Sequence, residues 1–143
     1  MTQQNLIDPR GPRFGAAITT LVLAAALATT PSSLATVLIT IQAVVFGLGA
    51  FVGLSAQPYG VLFRTLIRPR LKPPVNLEAS QPPQFAQLVG FIFAAVALIG
   101  ALIGVTAISQ IAVGGALAAA FLNAAFGYCL GCEMYLIGKR IIS

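Results

Sequence analysis

Long apolar runs separated by short polar breaks dominate this chain. They cover about 14–28, 34–56, 85–105 and 110–137, and apart from Glu133 none of them contains a charged residue. About 20 apolar residues carry a helix across the roughly 30 Å hydrocarbon layer of a bilayer. The pattern therefore predicts an all-α membrane protein, a bundle of four transmembrane helices forming one domain over 1–143. The breaks support this reading. Thr29 to Ser33 make a tight turn, with Pro31 placed to open the next helix. Pro58, Tyr59 and Gly60 end or kink the second span, and Thr106 to Ser109 form another short uncharged turn. A polar arm, 1–13, precedes the first span. Residues 61–84 read as the one substantial loop, with Arg64, Arg68, Arg70, Lys72 and Glu78 among prolines 69, 73, 74, 82 and 83.

Composition agrees. Of 143 residues 58% are hydrophobic and 8% charged, with a mean hydropathy of +0.95. Soluble domains carry about 25% charged residues, and four spans leave no room for a soluble domain of useful size. The first apolar run reads as a signal anchor that is retained, because later spans follow it with no mature soluble domain between. All eight Lys and Arg lie in the arm, the 61–84 loop or the C-terminal tail, and none in the two short turns. The positive-inside rule then places those three segments, and both termini, in the cytoplasm, giving a multi-pass protein of the inner (plasma) membrane. The net charge of +5 reads as orientation and attraction to anionic lipid. No basic cluster alternates with stacking aromatics, so nucleic acid is not an expected partner.

A faint internal repeat is present. Asp8-Pro9-Arg10-Gly11-Pro12-Arg13-Phe14-Gly15-Ala16 precedes the first span, and Glu78-Ala79-Ser80-Gln81-Pro82-Pro83-Gln84-Phe85-Ala86 precedes the third. The halves read either as parallel two-helix copies related by an axis along the membrane normal or simply as two helix-entry signals. Glycines four residues apart, Gly49/Gly53, Gly100/Gly104 and Gly127/Gly131, permit close helix approach in lipid.

Few residues are left for chemistry. The chain has no His, and its acids are Asp8, Glu78 and Glu133. A His triad and a His metal site are thereby excluded, a carboxylate pair buried in the membrane is not expected, and no phosphate-cradling glycine loop is present. Gln42 and Asn123, the polar residues deepest in the spans, read as interhelical hydrogen-bond partners. What remains is Cys129-Leu130-Gly131-Cys132, with Glu133 directly after it. Three residues apart on a helix, the two sulfurs share a face, about 5 Å apart at Cα and within reach of a disulfide. On a fourth helix starting near Gln110, Cys129 lies about 28 Å along, at the cytoplasmic edge. In a reducing cytoplasm the pair is expected to rest as a dithiol. It would sit near the negative pole of that helix, with Glu133 over Cys129. Lys139, Arg140, Arg10 or Arg13 would have to offset both effects. Redox exchange, binding of a soft metal or sulfur, and simple packing are the three roles open to the pair.

The runs Asp8-Pro-Arg-Gly-Pro-Arg-Phe14, Gln57-Pro-Tyr-Gly-Val-Leu-Phe-Arg64, Arg68-Pro-Arg-Leu-Lys-Pro-Pro74, Phe85-Ala-Gln87 and Phe126-Gly-Tyr-Cys-Leu-Gly-Cys-Glu133 together resemble a family of small four-span bacterial membrane proteins. That family is mainly actinobacterial and is described as a domain of unknown function. The resemblance covers nearly the whole chain. Its members are often encoded near thioredoxin-like or sulfurtransferase proteins, which implies thiol or sulfur redox chemistry with such a partner. A looser resemblance is to four-helix thiol oxidoreductases of the vitamin K epoxide reductase type. This chain lacks their second cysteine pair, and its own pair faces the other side of the membrane.

The functional expectation is a membrane component of a thiol-redox or sulfur-handling system. Cys129 and Cys132 would exchange electrons with a cytoplasmic protein docked on the 61–84 loop, and Glu133 would tune the pair or relay protons. Besides the bilayer and that protein, further copies of the chain or a larger membrane complex are expected partners. No cofactor or metal follows from the sequence. The contrasting reading is a non-enzymatic membrane anchor whose cysteines only pack.

Overall fold

The computed structural model describes residues 6–73 and 77–142; residues 1–5 of the arm, Pro74 and the two residues after it in the loop, and Ser143 lie outside the described residues. The chain begins with a two-residue strand β1 (Leu6–Ile7). It continues through α1 (Arg10–Thr29) and α2 (Ser33–Gly47), the latter extended by a π-helical turn to Val52. A short helical segment follows, α3 (Pro58–Leu62), wound on through a π turn and a 3-10 turn to Arg70. Strand β2 (Glu78–Ala79) leads into α4 (Gln81–Ile103), α5 (Thr106–Phe126) and α6 (Leu130–Ile142).

Among the described residues, four helices are long and apolar enough to cross a membrane: α1, α2 with its π turn, α4 and α5. They form a ring in which α1 packs on α2, α2 on α4, α4 on α5, and α5 closes back on α1. Leu23, Ala26, Ile39, Ala97, Val113 and Ala116 fill its centre. The outer surface carries Leu21, Ile41, Ile92, Ile99, Leu102 and Ile111, all exposed. So large an apolar belt is what lipid covers and water does not. At 1.5 Å per residue, the 21 residues of α5 span about 30 Å, one hydrocarbon thickness. Thr20 and Thr40 hold their hydroxyls on the carbonyls of Ala16 and Thr36, four residues back, so neither presents an unpaired donor to lipid.

The starts of α1 and α4, the ends of α2 and α5, and the segments between them all gather at one end of the ring. Arg10, Arg13, Arg64, Arg68, Arg70 and Lys72 therefore lie at that end, and α6, which carries Lys139 and Arg140, starts there. The opposite end holds only uncharged turns. β1 and β2 pair antiparallel, Leu6 with Ala79 and Ile7 with Glu78. The residues just before the first repeat segment are thus hydrogen-bonded to the opening residues of the second.

Several boundaries differ from expectation, each for a local reason. α1 begins at Arg10, inside the segment read as an arm, and α4 begins at Gln81 rather than near 85. Pro12, and Pro82 with Pro83, sit in the first turns of these helices, where a backbone N–H has no helical partner to lose. The second span ends at Val52 instead of 56, because Gly53 takes φ +137°. The 61–84 loop is helical in its first part. Gln57 caps α3 by accepting the Gly60 N–H at 2.9 Å, and Pro58 is the first residue of that helix. The largest correction concerns the fourth helix. The apolar run predicts one helix over 110–137, yet it stops at Phe126 and a separate helix, α6, begins at Leu130.

Candidate functional site

Gly127 causes that break. Its φ of +69° lies in the left-handed region, which ends α5 at little cost for a residue without Cβ. The Gly127 and Tyr128 N–H groups reach back to the carbonyls of Asn123 (2.9 Å) and Leu122 (3.2 Å). Arg13 closes the same helix end: its guanidinium donates to the Ala124 carbonyl at 3.2 Å and packs against Gly127. A cation at a helix C-terminus is favourably placed against the dipole.

Cys129 stands immediately before α6, in the N-cap position. Its carbonyl accepts the Glu133 N–H at 3.0 Å, and its Sγ accepts the Cys132 N–H at 3.1 Å. Cys129 and Cys132 are joined as a disulfide, with Cα atoms 5.1 Å apart. The sequence reading, a reduced pair on one stripe near the negative pole of a long helix, is therefore corrected. The sulfurs are bonded, and they sit at the positive pole of a 13-residue helix. There the free N–H groups and the dipole favour negative charge on sulfur. Glu133 is exposed in the first turn of α6, and Lys139 and Arg140 lie in the last, an order that complements the α6 dipole.

Two contacts fix α6 against α4. Gly131 is buried so tightly that a Cβ added there would lie 2.6 Å from Ala86 Cα. The rings of Phe85 and Tyr135 meet at 5.7 Å. The expected glycine pairs thus divide their labour. Gly49, Gly100 and Gly131 allow close approach, to Gln87, to Ile108 and Ser109, and to Ala86. Gly53, Gly104 and Gly127 take positive φ and end the preceding segment.

Polar groups run from the middle of the ring to that same end. Gln42, fully buried, donates from Nε2 to Thr19 Oγ1 (3.1 Å) and accepts from the Tyr59 hydroxyl (2.9 Å). The interhelical role expected of Gln42 is thus seen. Burial pushes the Tyr59 phenol above its ordinary pKa, which keeps it a neutral donor. Gln57 donates to Gln87 Oε1 at 2.9 Å. Asn123 differs from expectation: among the described residues its side-chain amide makes no hydrogen bond, and it lines a cavity instead. Asp8 is buried and held by Arg10, whose Nη2 lies 2.7 Å from Oδ2 and whose Nε lies 3.0 Å from Oδ1, with Arg68 Nε at 3.8 Å. The Arg10 hydrogen bonds hold the Asp8 carboxyl below the usual carboxylate range.

The cavity at Asn123 has a volume of about 220 Å³ and lies between α1, α2, α4, α5 and the start of α6. Thr19, Phe46, Gln87, Phe93 and Asn123 line it, with Cys129. Among the described residues no group of three or more His, Cys, Asp and Glu is placed to hold a metal ion. Sequence reasoning missed the roles of Thr19, Tyr59 and Arg13. Their partners lie far along the chain, and no local pattern announces them.

A family model described as a domain of unknown function, DUF4395, matches residues 7–140, and the chain belongs to that family. Neither the curated proteins nor the solved structures provide a match.

Proposed function

We propose that this member of the DUF4395 family is a membrane thiol-redox component, with Cys129–Cys132 as its exchanging disulfide. The observation that supports the reading most directly is the hydrogen bond from the Cys132 N–H to Cys129 Sγ at the N-terminus of α6. An attacking or leaving sulfur is best placed where amides and a helix dipole stabilise its thiolate. A partner thiolate attacks one sulfur of the pair, the Cys129–Cys132 bond breaks and a mixed disulfide forms. A second partner thiol then resolves it. The partner leaves as a disulfide, and the pair holds two electrons and two protons. Glu133, exposed one turn from Cys129, hands those protons to and from water.

Loop length argues against a purely structural bond. The disulfide links residues three apart, which helix geometry already holds together. Loop entropy assigns so small a ring only about 2 kcal/mol. The basic end of the ring faces the cytoplasm by the positive-inside rule, and Arg64, Arg68, Arg70 and Lys72 form an exposed or half-exposed surface for an acidic partner protein, thioredoxin-like or a sulfurtransferase.

The test is a trapping experiment. With Cys132→Ser in the full chain, Cys129 has no internal sulfur to release a bound partner. A mixed disulfide with a cytoplasmic protein should accumulate in cells and vanish on reduction. If neither Cys132→Ser nor Cys129→Ser captures a partner and the reduced wild-type pair resists thiol reagents, the reading fails.

A further inference from the structure

The cavity beside Cys129 has a chemistry of its own. It is enclosed by four membrane-length helices, and no charged side chain lines it among the described residues. Its occupant is therefore neutral. Phe46 and Phe93 supply aromatic faces suited to a planar ring. The side-chain amides of Asn123 and Gln87 supply hydrogen-bond donors: Asn123 makes no hydrogen bond among the described residues, and Gln87 uses only its oxygen, as an acceptor. Unused donors in an apolar wall fit a ligand that presents carbonyl oxygens. Phe93 and Gly115, both in the lining, are also exposed, so a molecule dissolved in lipid can enter from the side. The volume of about 220 Å³ falls below the range of roughly 300–1,000 Å³ for drug-sized ligands. It suits a compact head of one or two rings, with any tail left in the bilayer.

We propose that this cavity binds the ring of a membrane quinone and that the quinone takes the electrons of the Cys129–Cys132 dithiol. The proposal rests on the reading of the pair as a redox centre and adds the second partner that such a centre needs. In the step, the two S–H bonds break and the Cys129–Cys132 bond forms. The quinone gains two electrons and two protons, forms two O–H bonds and leaves as the hydroquinone. Asn123 donates to a ring carbonyl oxygen, where negative charge develops as electrons arrive. Cys129, in the cavity wall, is the sulfur that meets the ring.

The experiment uses the full chain in lipid nanodiscs, reduced, freed of reductant and kept anaerobic. Decylubiquinone is added, and its ultraviolet absorbance and the mass of the chain are followed. One hydroquinone should appear for each disulfide formed. Ala119→Leu, which puts three extra carbons into the cavity, should slow quinone reduction at least about tenfold while exchange with dithiothreitol persists. Asn123→Leu, which removes the donor, should raise the quinone concentration for half-maximal rate by up to about tenfold, and it serves alone if Ala119→Leu does not fold. A reduced chain that exchanges with dithiothreitol but leaves decylubiquinone oxidised overturns the quinone site and spares the thiol reading. Equal rates in wild type, Ala119→Leu and Asn123→Leu overturn it too, since quinone then meets the thiols outside the cavity. A pair inert to both reagents overturns both proposals.

Discussion

The backbone N–H of Cys132 points at Sγ of Cys129 across 3.1 Å, so the first turn of α6 solvates the sulfur of the residue that caps it. A side-chain oxygen usually fills this position at a helix start. On the proposed reading, the groups that stabilise the helix end would also stabilise a thiolate.

That arrangement depends on Gly127. A Cβ at φ +69° costs about 1–2 kcal/mol. Gly127→Ala should lower stability by about that amount in denaturant titrations followed by helical circular dichroism, and Gly127→Asn should lose less. Gly131→Ala acts differently. Its Cβ would lie 2.6 Å from backbone at Ala86, so α6 must shift. It should cost about 1–3 kcal/mol and also change the rate at which dithiothreitol opens the disulfide.

Gln42→Leu should destabilise the bundle by about 1 kcal/mol, because it strands the hydroxyls of Thr19 and Tyr59. Tyr59→Phe removes one of the two bonds and should cost less. Unfolding titrations of both variants check this order, and a Gln42→Leu chain as stable as wild type would show the network to be dispensable.

Asp8 gives a dependence on pH. Its carboxyl titrates lower in the folded chain than in the unfolded one, chiefly because Arg10 donates to it. Its contribution is then fully present above the ordinary carboxylate value of about 3.9. It is lost as pH falls through the lower folded value. Asp8→Asn should cost about 1 kcal/mol at neutral pH, discounted for the partial exposure of Arg10. The difference from wild type should shrink below about pH 4. Parallel unfolding titrations at pH 3 and pH 7 measure it.

The sequence reveals the bundle because charge and apolar length are local signals: spans free of Lys and Arg place four helices without any knowledge of packing. Helix starts are less legible. Pro12 and Pro82 look like breakers, yet a first turn tolerates them. The cysteine pair is legible from its spacing, and the structure joins the two sulfurs. Gly127 looks like one of a helix-packing pair in the sequence, yet it is a left-handed cap. A continuous helix through it inverts the dipole at the cysteines. A glycine near the end of an apolar run is a helix-stop signal, but the length of this run masks it. The cavity was not legible, since its lining comes from five helices and depends on where Gly90 and Gly115 let Phe46 and Phe93 lie.

On the proposed reading, Cys129 holds the reactive sulfur at the positive end of α6. The measurement that bears on it most directly is the pH profile of alkylation of the reduced full chain, resolved for each cysteine by mass spectrometry. Cys129 should be modified first, with its rate reaching half-maximum clearly below about pH 8.5, the ordinary value for a free thiol, and Cys132 should follow at higher pH. If both cysteines react together at or above that pH, or Cys132 reacts first, α6 does not activate Cys129.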